Sequence, residues 1–168
     1  MHNIKRNIPT LILYSGYILF LISTYASRIT FLESSLKFFK FFSLLLFLLS
    51  FLLNKKKYNK KSLFIILFLL GISLLISYNT KNFTLPITLL IIISINNENK
   101  EKFIQNDIKI KLIISLLLLT FDFLGYTDDL IFYRNGTIRH SFGFPHPNLL
   151  MFTLVNILIE FLFIKRKK

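Results

Sequence analysis

Long apolar runs alternate with short polar segments along the whole chain. Five of the runs are about long enough to cross a bilayer as helices, because roughly 17 to 25 residues cover the hydrocarbon core. A sixth run, residues 83–95, is shorter and contains Pro86. The pattern predicts an all-α integral membrane protein, a single membrane domain of about six transmembrane helices. The predicted spans are residues 9–25, 38–53, 63–78, 83–95, 112–126 and 149–164.

The distribution of Lys and Arg bears on whether the run 83–95 crosses the membrane or is re-entrant. These residues accumulate in short cytoplasmic loops. If all six runs cross and the N-terminus is cytoplasmic, 15 basic residues lie inside and 5 outside, and Lys40 lies within a span. If the run 83–95 does not cross, 9 lie inside and 11 outside. The charges therefore favour six crossings, with both termini cytoplasmic, polar residues 96–111 inside and the segment 127–148 outside.

Composition narrows the class of protein. With 54% hydrophobic residues and a mean hydropathy of +0.60, the chain is too apolar for a soluble domain of this size. It has no Cys, which excludes disulfides and thiol chemistry. The net charge of +13 does not indicate a nucleic-acid partner, because the bases lie between apolar runs and form no stripe with stacking aromatics. The first run resembles a signal peptide, but we expect a retained signal-anchor because five more runs follow.

Two acidic residues in the predicted spans need partners. Asp122 lies near the outer end of the fifth span, either as an interfacial residue beside Asp128 and Asp129 or as part of a cavity lining. Glu160 lies one turn from Lys165, where we expect it to snorkel or to pair with a Lys.

The segment 127–148, called here the 127–148 loop, has its own chemistry. Lys occurs sixteen times in the chain but never in this loop, whose bases are Arg134 and Arg139. Arg presents a planar fork of donors that binds phosphate bidentately. His140 and His146 add groups that exchange protons near neutral pH. An ordinary turn-rich loop would explain its Gly, Pro and Asn residues, but not this enrichment in Arg and His.

Other residues of the loop indicate its local shape. Gly136 and Gly143 permit backbone conformations closed to other residues. Asn148 comes just before the last apolar run and is a natural N-cap. A metal site built from His140, His146 and an Asp is a further interpretation, but the spacing fits no known ligand pattern and we expect no metal.

The string "YRNGTIRHSFGFPHPN", residues 133–148, resembles the signature loop of polysaccharide repeat-unit polymerases of the Wzy type, which are related to the O-antigen ligases. The resemblance is local, and elsewhere the chain is similar only in being apolar, multi-span and rich in Lys. It implies a metal-independent, inverting glycosyltransferase without a cofactor in a bacterial plasma membrane. Its substrates would be glycans linked to undecaprenyl diphosphate, and its other partners membrane lipids and polysaccharide-assembly proteins.

The resemblance also implies roles for residues of the loop. Arg134 and Arg139 would hold the diphosphate leaving group. His146 is the first choice for the general base, with His140 or an Asp as alternatives. Three further residues would position the reacting groups, namely Ser141, Gly143 and Asn148.

The chain departs from this family in length. Family members are longer, with more spans and a second basic outer loop, so we expect the chain to correspond to an N-terminal half. A rival hypothesis is a small non-enzymatic membrane protein, an immunity protein or an accessory assembly subunit, whose 127–148 loop binds a partner.

Overall fold

A computed structural model describes most of the chain, and its helices and strands follow the apolar pattern only in part. For residues 2–7, 54 and 134 only the backbone is described. The described residues are 2–29, 31–54, 58–80, 83–95, 99–127, 130–134 and 136–166. They form α1 (His2–Tyr25), α2 (Glu33–Asn54), α3 (Lys60–Thr80), α4 (Thr84–Ile95), α5 (Lys100–Phe123), β1 (Ile131–Arg134), β2 (Thr137–His140) and α6 (Pro147–Arg166).

Among the described residues, four helices are long and apolar enough to cross a membrane. These are segments of α1 and α2 and the whole of α3 and α6, bounded by Ile8–Tyr25, Glu33–Leu53, Lys60–Thr80 and Pro147–Arg166. Many of their large apolar side chains are exposed, among them Phe38 at 74% and Phe152 at 68%. Contiguous apolar surface of this kind needs an apolar solvent. The predicted helical membrane protein is therefore supported, with four of the six predicted spans.

The fourth predicted span is the short helix α4, which is not among these four. Its 12 residues rise by about 18 Å, less than the hydrocarbon core of roughly 30 Å. Pro86 lies in its first turn, where a missing N–H leaves the helix intact. α4 packs against α3, and both helices bury small residues, Ser94 in α4 and Ser73 and Ser77 in α3. Small side chains allow such close packing.

Helix α5 contains polar residues from the segment 96–111 and most of the predicted span 112–126. From Lys100 onward the polar residues and the apolar run that follows them form one continuous helix, which ends at Phe123. Four charged residues in the last 18 positions of α5 exclude it from the apolar spans, namely Asp107, Lys109, Lys111 and Asp122. Hydropathy marks the part of a helix that suits lipid, not the point at which the helix begins.

An ion-pair cluster joins α5 to α6. Lys111 Nζ lies 2.8 Å from Asp107 Oδ2, one turn earlier, and 2.6 Å from Glu160 Oε1 in α6. The expected pairing of Glu160 with a Lys is present, but its partner is Lys111 and not a residue near Lys165. We call Asp107, Lys111 and Glu160 the charged cluster.

The chain forms two compact units. The first contains Met1–Tyr17 and Phe41–Lys100, and the second contains Ile18–Lys40 and Glu101–Lys168. In the first unit, α1 and α2 approach closely at Gly16, where a Cβ would lie 3.1 Å from Leu46 Cβ. The second unit contains the charged cluster and the 127–148 loop.

Candidate functional site

Part of the 127–148 loop is a β-hairpin, which adds strands to the predicted all-α fold. β1 and β2 are antiparallel, with Phe132 opposite Arg139 and Arg134 opposite Thr137. The two-residue connection is Asn135-Gly136 in the sequence, and Gly136 has a φ of 77°. Asn-Gly is the connection best suited to the twist of a tight hairpin. This dipeptide between two short runs of large apolar and basic residues is the signal that predicts the hairpin.

Ser141 closes the base of the hairpin. It is fully buried, and its Oγ accepts a hydrogen bond of 2.8 Å from the N–H of Leu130. The N–H of Ser141 in turn donates to the Leu130 carbonyl at 3.1 Å. Ser141 thus fixes the end of the strand that carries Arg139, and its role in positioning reacting groups stays a prediction.

The residues after the hairpin anchor the loop to α5. Gly143 has a φ of 75°, and a Cβ there would lie 3.2 Å from the Leu118 carbonyl oxygen and from Thr127 Oγ1. Only glycine suits both the backbone conformation and the space. Thr127 Oγ1 donates to Asp122 Oδ1 at 2.6 Å, so the half-buried Asp122 helps to hold the loop. The two other predicted members of the Asp122 group, Asp128 and Asp129, lie outside the described residues.

The start of α6 corrects the prediction that Asn148 is the N-cap. α6 begins at Pro147, and His146 is the capping residue. Its carbonyl accepts from the N–H of Leu149 at 2.9 Å, and its Nδ1 accepts from the N–H of Asn148 at 3.1 Å. Proline suits the first helical position because its fixed φ is helical and its missing N–H would be unpaired there. Asn148 therefore occupies the second helical position.

Arg139, His146 and Asn148 line one pocket at the start of α6. The pocket has a volume of about 230 Å³, and its other walls are Phe132, Tyr133 and Pro147. The Phe132 ring lies across the ladder from Arg139, and its centroid is 4.7 Å from that of the His146 imidazole. The hairpin and the helix start thus bring together three of the seven residues singled out from the sequence.

The remaining predicted residues lie elsewhere. His140 follows Arg139 in β2, so its side chain lies on the opposite face of the hairpin, where its ring is 5.8 Å from that of Phe142. The side chain of Arg134 lies outside the described residues, although its backbone pairs with Thr137. Within the described part of the chain, no three His, Asp or Glu residues are grouped as metal ligands.

The hydrogen bond at His146 determines what the pocket offers chemically. Because Nδ1 accepts from the Asn148 N–H, the proton of the neutral imidazole is on Nε2, where the ring is a donor. Arg139 supplies further donors, and the first turn of a helix carries partial positive charge. The pocket is therefore suited to an anion. The general-base role of His146 stays a prediction, and it requires the cap bond to break before Nδ1 accepts a proton.

Comparisons with family models, curated proteins and solved structures found no match for this chain. The resemblance to Wzy-type polymerases therefore rests on residues 133–148 alone. Sequence reasoning missed the pocket walls Phe132 and Tyr133, and in the charged cluster it missed Asp107 and the identity of the lysine that pairs with Glu160. Asn135-Gly136 signals the hairpin, and the spacing of four residues between Asp107 and Lys111 signals one of the ion pairs.

Proposed function

We propose that the chain binds the diphosphate of an undecaprenyl-linked glycan in the Arg139–His146 pocket and takes part in polymerising the glycan's repeat units. The observation that carries this proposal is the convergence of Arg139 and His146 in one pocket at the start of α6. A diphosphate is an anion with several acceptor oxygens, and Arg matches two of them with its planar fork. Helix starts are recurrent phosphate-binding positions.

The same donors suit the proposed reaction. In the transfer, the bond between the glycan's anomeric carbon and the diphosphate oxygen breaks, and a glycosidic bond to an acceptor hydroxyl forms with inversion. The hydroxyl proton passes to a base, while negative charge develops on the leaving diphosphate. Donors fixed in position before the reaction stabilise such charge most effectively. We therefore assign Arg139 and His146 to the leaving group, with Arg134 as a second cation of the same strand pair.

We further propose that the pocket faces the outside of a bacterial plasma membrane. This orientation requires α5 to cross, despite the charges that make it unsuited to lipid. Within the charged cluster, Lys111 is paired with two carboxylates, which lowers the cost of burying α5 between other helices. It also requires α4 to cross with the help of its flanking residues, as the distribution of Lys and Arg favours.

Cysteine labelling tests this topology, and the Cys-free chain needs no background substitutions. Four exposed positions are suitable: Lys60, Phe83, Asn99 and Thr137. Single cysteines at Phe83 and Thr137 are expected to react with a membrane-impermeant maleimide in intact cells. Those at Lys60 and Asn99 are expected to react only after lysis. Labelling of Asn99→Cys but not Thr137→Cys in intact cells would show that α4 does not cross and that the pocket is cytoplasmic.

The substitution Arg139→Lys tests the function itself, in the bacterium that makes this protein. It keeps the charge but removes the planar fork. We expect long-chain polysaccharide to fall by about tenfold, since a charge-assisted hydrogen bond contributes at least that much, and lipid-linked single repeat units to accumulate. Polymer length on gels and protein level in membranes are the measurements. The matched control is Arg166→Lys, which makes the same change in the last turn of α6, at the opposite end of the helix from the pocket. It should have no effect.

Two results would count against the proposal. Normal polymer in the Arg139→Lys strain would exclude bidentate binding of the diphosphate. Normal polymer after deletion of the whole gene would exclude the polymerase function and leave the accessory or immunity role.

A further inference from the structure

The β-hairpin of the 127–148 loop has an exposed apolar face. Tyr133 pairs with Ile138 across the ladder, and Ile131 lies on the same face because alternate residues of a strand point the same way. All three side chains are at least half exposed, although part of Tyr133 also borders the candidate pocket. Phe132 and Arg139 lie on the opposite face. A two-stranded hairpin is marginally stable alone, so its apolar face indicates that another surface covers it.

The segment that follows the hairpin is held beside the apolar part of α5. Gly143 lies so close to this helix that a Cβ there would be 3.2 Å from the Leu118 carbonyl oxygen. Leu118 precedes the last residue of α5 by five positions, or about 7.5 Å along the helix axis. The next residue, Phe144, is fully buried, and its ring centroid lies 5.8 Å from that of Tyr25 at the end of α1. The base of the hairpin at Ser141 is thus within two residues of the level of Leu118.

Large apolar side chains are exposed on both sides of this level. In α5 and the turn after it, Leu116 lies before the level, and Phe123 and Tyr126 lie after it. At the start of the span α6, Met151 and Phe152 are also exposed. An apolar solvent that covers the first turns of α6 therefore reaches the hairpin, which is only a few residues away along the chain. The apolar face of the hairpin continues the surface that indicates a bilayer around α6.

We propose that the hairpin lies in the membrane interface, with the face of Ile131, Tyr133 and Ile138 against the acyl chains of the bilayer. Arg139, on the opposite face, then lies at the level of the lipid headgroups. Tyr suits this depth, because its ring is apolar and its hydroxyl is polar. A soluble protein would have to displace lipid from a face that is tethered to the start of a span. The proposal depends neither on the side of the membrane nor on the function proposed for the pocket.

Tryptophan fluorescence tests this orientation, because the chain contains no Trp. Ile138→Trp places an indole on the apolar face, and Thr137→Trp places one on the opposite face of the same strand. Each full-length variant is held as a single chain in a phosphatidylcholine nanodisc, with brominated acyl chains as the lipid quencher and acrylamide as the aqueous quencher. We expect the brominated chains to quench Ile138→Trp, since its indole lies about 5–10 Å into the boundary between headgroups and acyl chains. Acrylamide should be the stronger quencher of Thr137→Trp.

Two further variants make the comparison quantitative. Leu75→Trp, at an exposed position in the span α3, gives the quenching by brominated chains that full contact with lipid produces. Ile131→Trp repeats the measurement from the other strand, so that a local distortion at residue 138 is recognised. Both reporters on the apolar face should emit at a shorter wavelength than Thr137→Trp.

Three results would overturn the proposal. If acrylamide quenched Ile138→Trp and Ile131→Trp as strongly as Thr137→Trp, the apolar face would lie in water. If both reporters resisted both quenchers, the face would be covered by protein. If the brominated chains quenched Ile138→Trp and Thr137→Trp equally, the hairpin would present neither face preferentially to lipid.

Discussion

His146→Ala is expected to abolish polymer formation and to weaken the start of α6, because the imidazole serves both the pocket and the helix. Loss of an N-cap costs about 0.5–2 kcal/mol, and loss of a donor to a developing oxyanion lowers turnover by about 10²–10³-fold. His146→Asn separates the two effects, since the Asn side-chain oxygen can accept from the Asn148 N–H as Nδ1 does now. The Asn variant should recover thermal stability in detergent but not polymer.

The control for this prediction lies on the other face of the hairpin. His140→Ala removes an exposed ring that does not line the pocket, and polymer should stay near the wild-type amount. Full activity of His146→Asn would show that His146 acts only as the N-cap of α6. A larger loss in His140→Ala than in His146→Ala would show that the reacting groups lie on the other side of β2.

The apolar spans were predictable because hydropathy sustained over a bilayer's thickness has few other causes. The segments found in α1, α2, α3 and α6 agree with the predicted runs to within a few residues at most of their ends. The start of α5 was not predictable in this way. Lys, Glu and Gln are good helix formers, so the helix continues from Lys100 through polar residues that hydropathy reads as a loop.

The candidate site was only partly predictable. The sequence identifies Arg139 and His146 as unusual, but their convergence depends on the hairpin register, which places Phe132 opposite Arg139 and His140 on the far face. The Asn135-Gly136 dipeptide is the sequence signal for that hairpin register. The error at Asn148 has a similar origin, since Pro147 is itself a signal for the first helical position and moves the cap to His146.

The pairing of Glu160 with Lys111 could not be read from the sequence, because the two residues are 49 positions apart. Only the fold, which places the Lys111 ammonium 2.6 Å from Glu160 Oε1, brings them together. The ion pair between Asp107 and Lys111 within α5 follows from helical spacing alone, because the two residues are four positions apart. Glu160 Oε2 is buried without a hydrogen-bond partner in the described part of the chain, so the carboxylate depends on Lys111 through its other oxygen.

Lys111→Met is therefore expected to be strongly destabilising. The side chains of Asp107 and Lys111 are each 9% exposed and that of Glu160 is 20% exposed, so removing the ammonium leaves two poorly solvated carboxylates facing one another. Breaking a buried ion pair from one side costs about 3–5 kcal/mol. The thermal unfolding midpoint in detergent should fall sharply. Lys109→Met, two residues away on the exposed face of α5, is the matched control and should change it little.

A triple variant distinguishes loss of charge pairing from loss of packing. Replacing the whole charged cluster with near-isosteric neutral side chains, Asp107→Asn, Lys111→Met and Glu160→Gln, removes the unpaired charges together with the cation. Such replacements are often neutral for stability, so the midpoint should return most of the way to the wild-type value. If the triple variant were as unstable as Lys111→Met, the Lys111 side chain would act through packing. If Lys111→Met matched Lys109→Met, the cluster would not hold α5 to α6, and the argument that α5 can cross the membrane would lose its support.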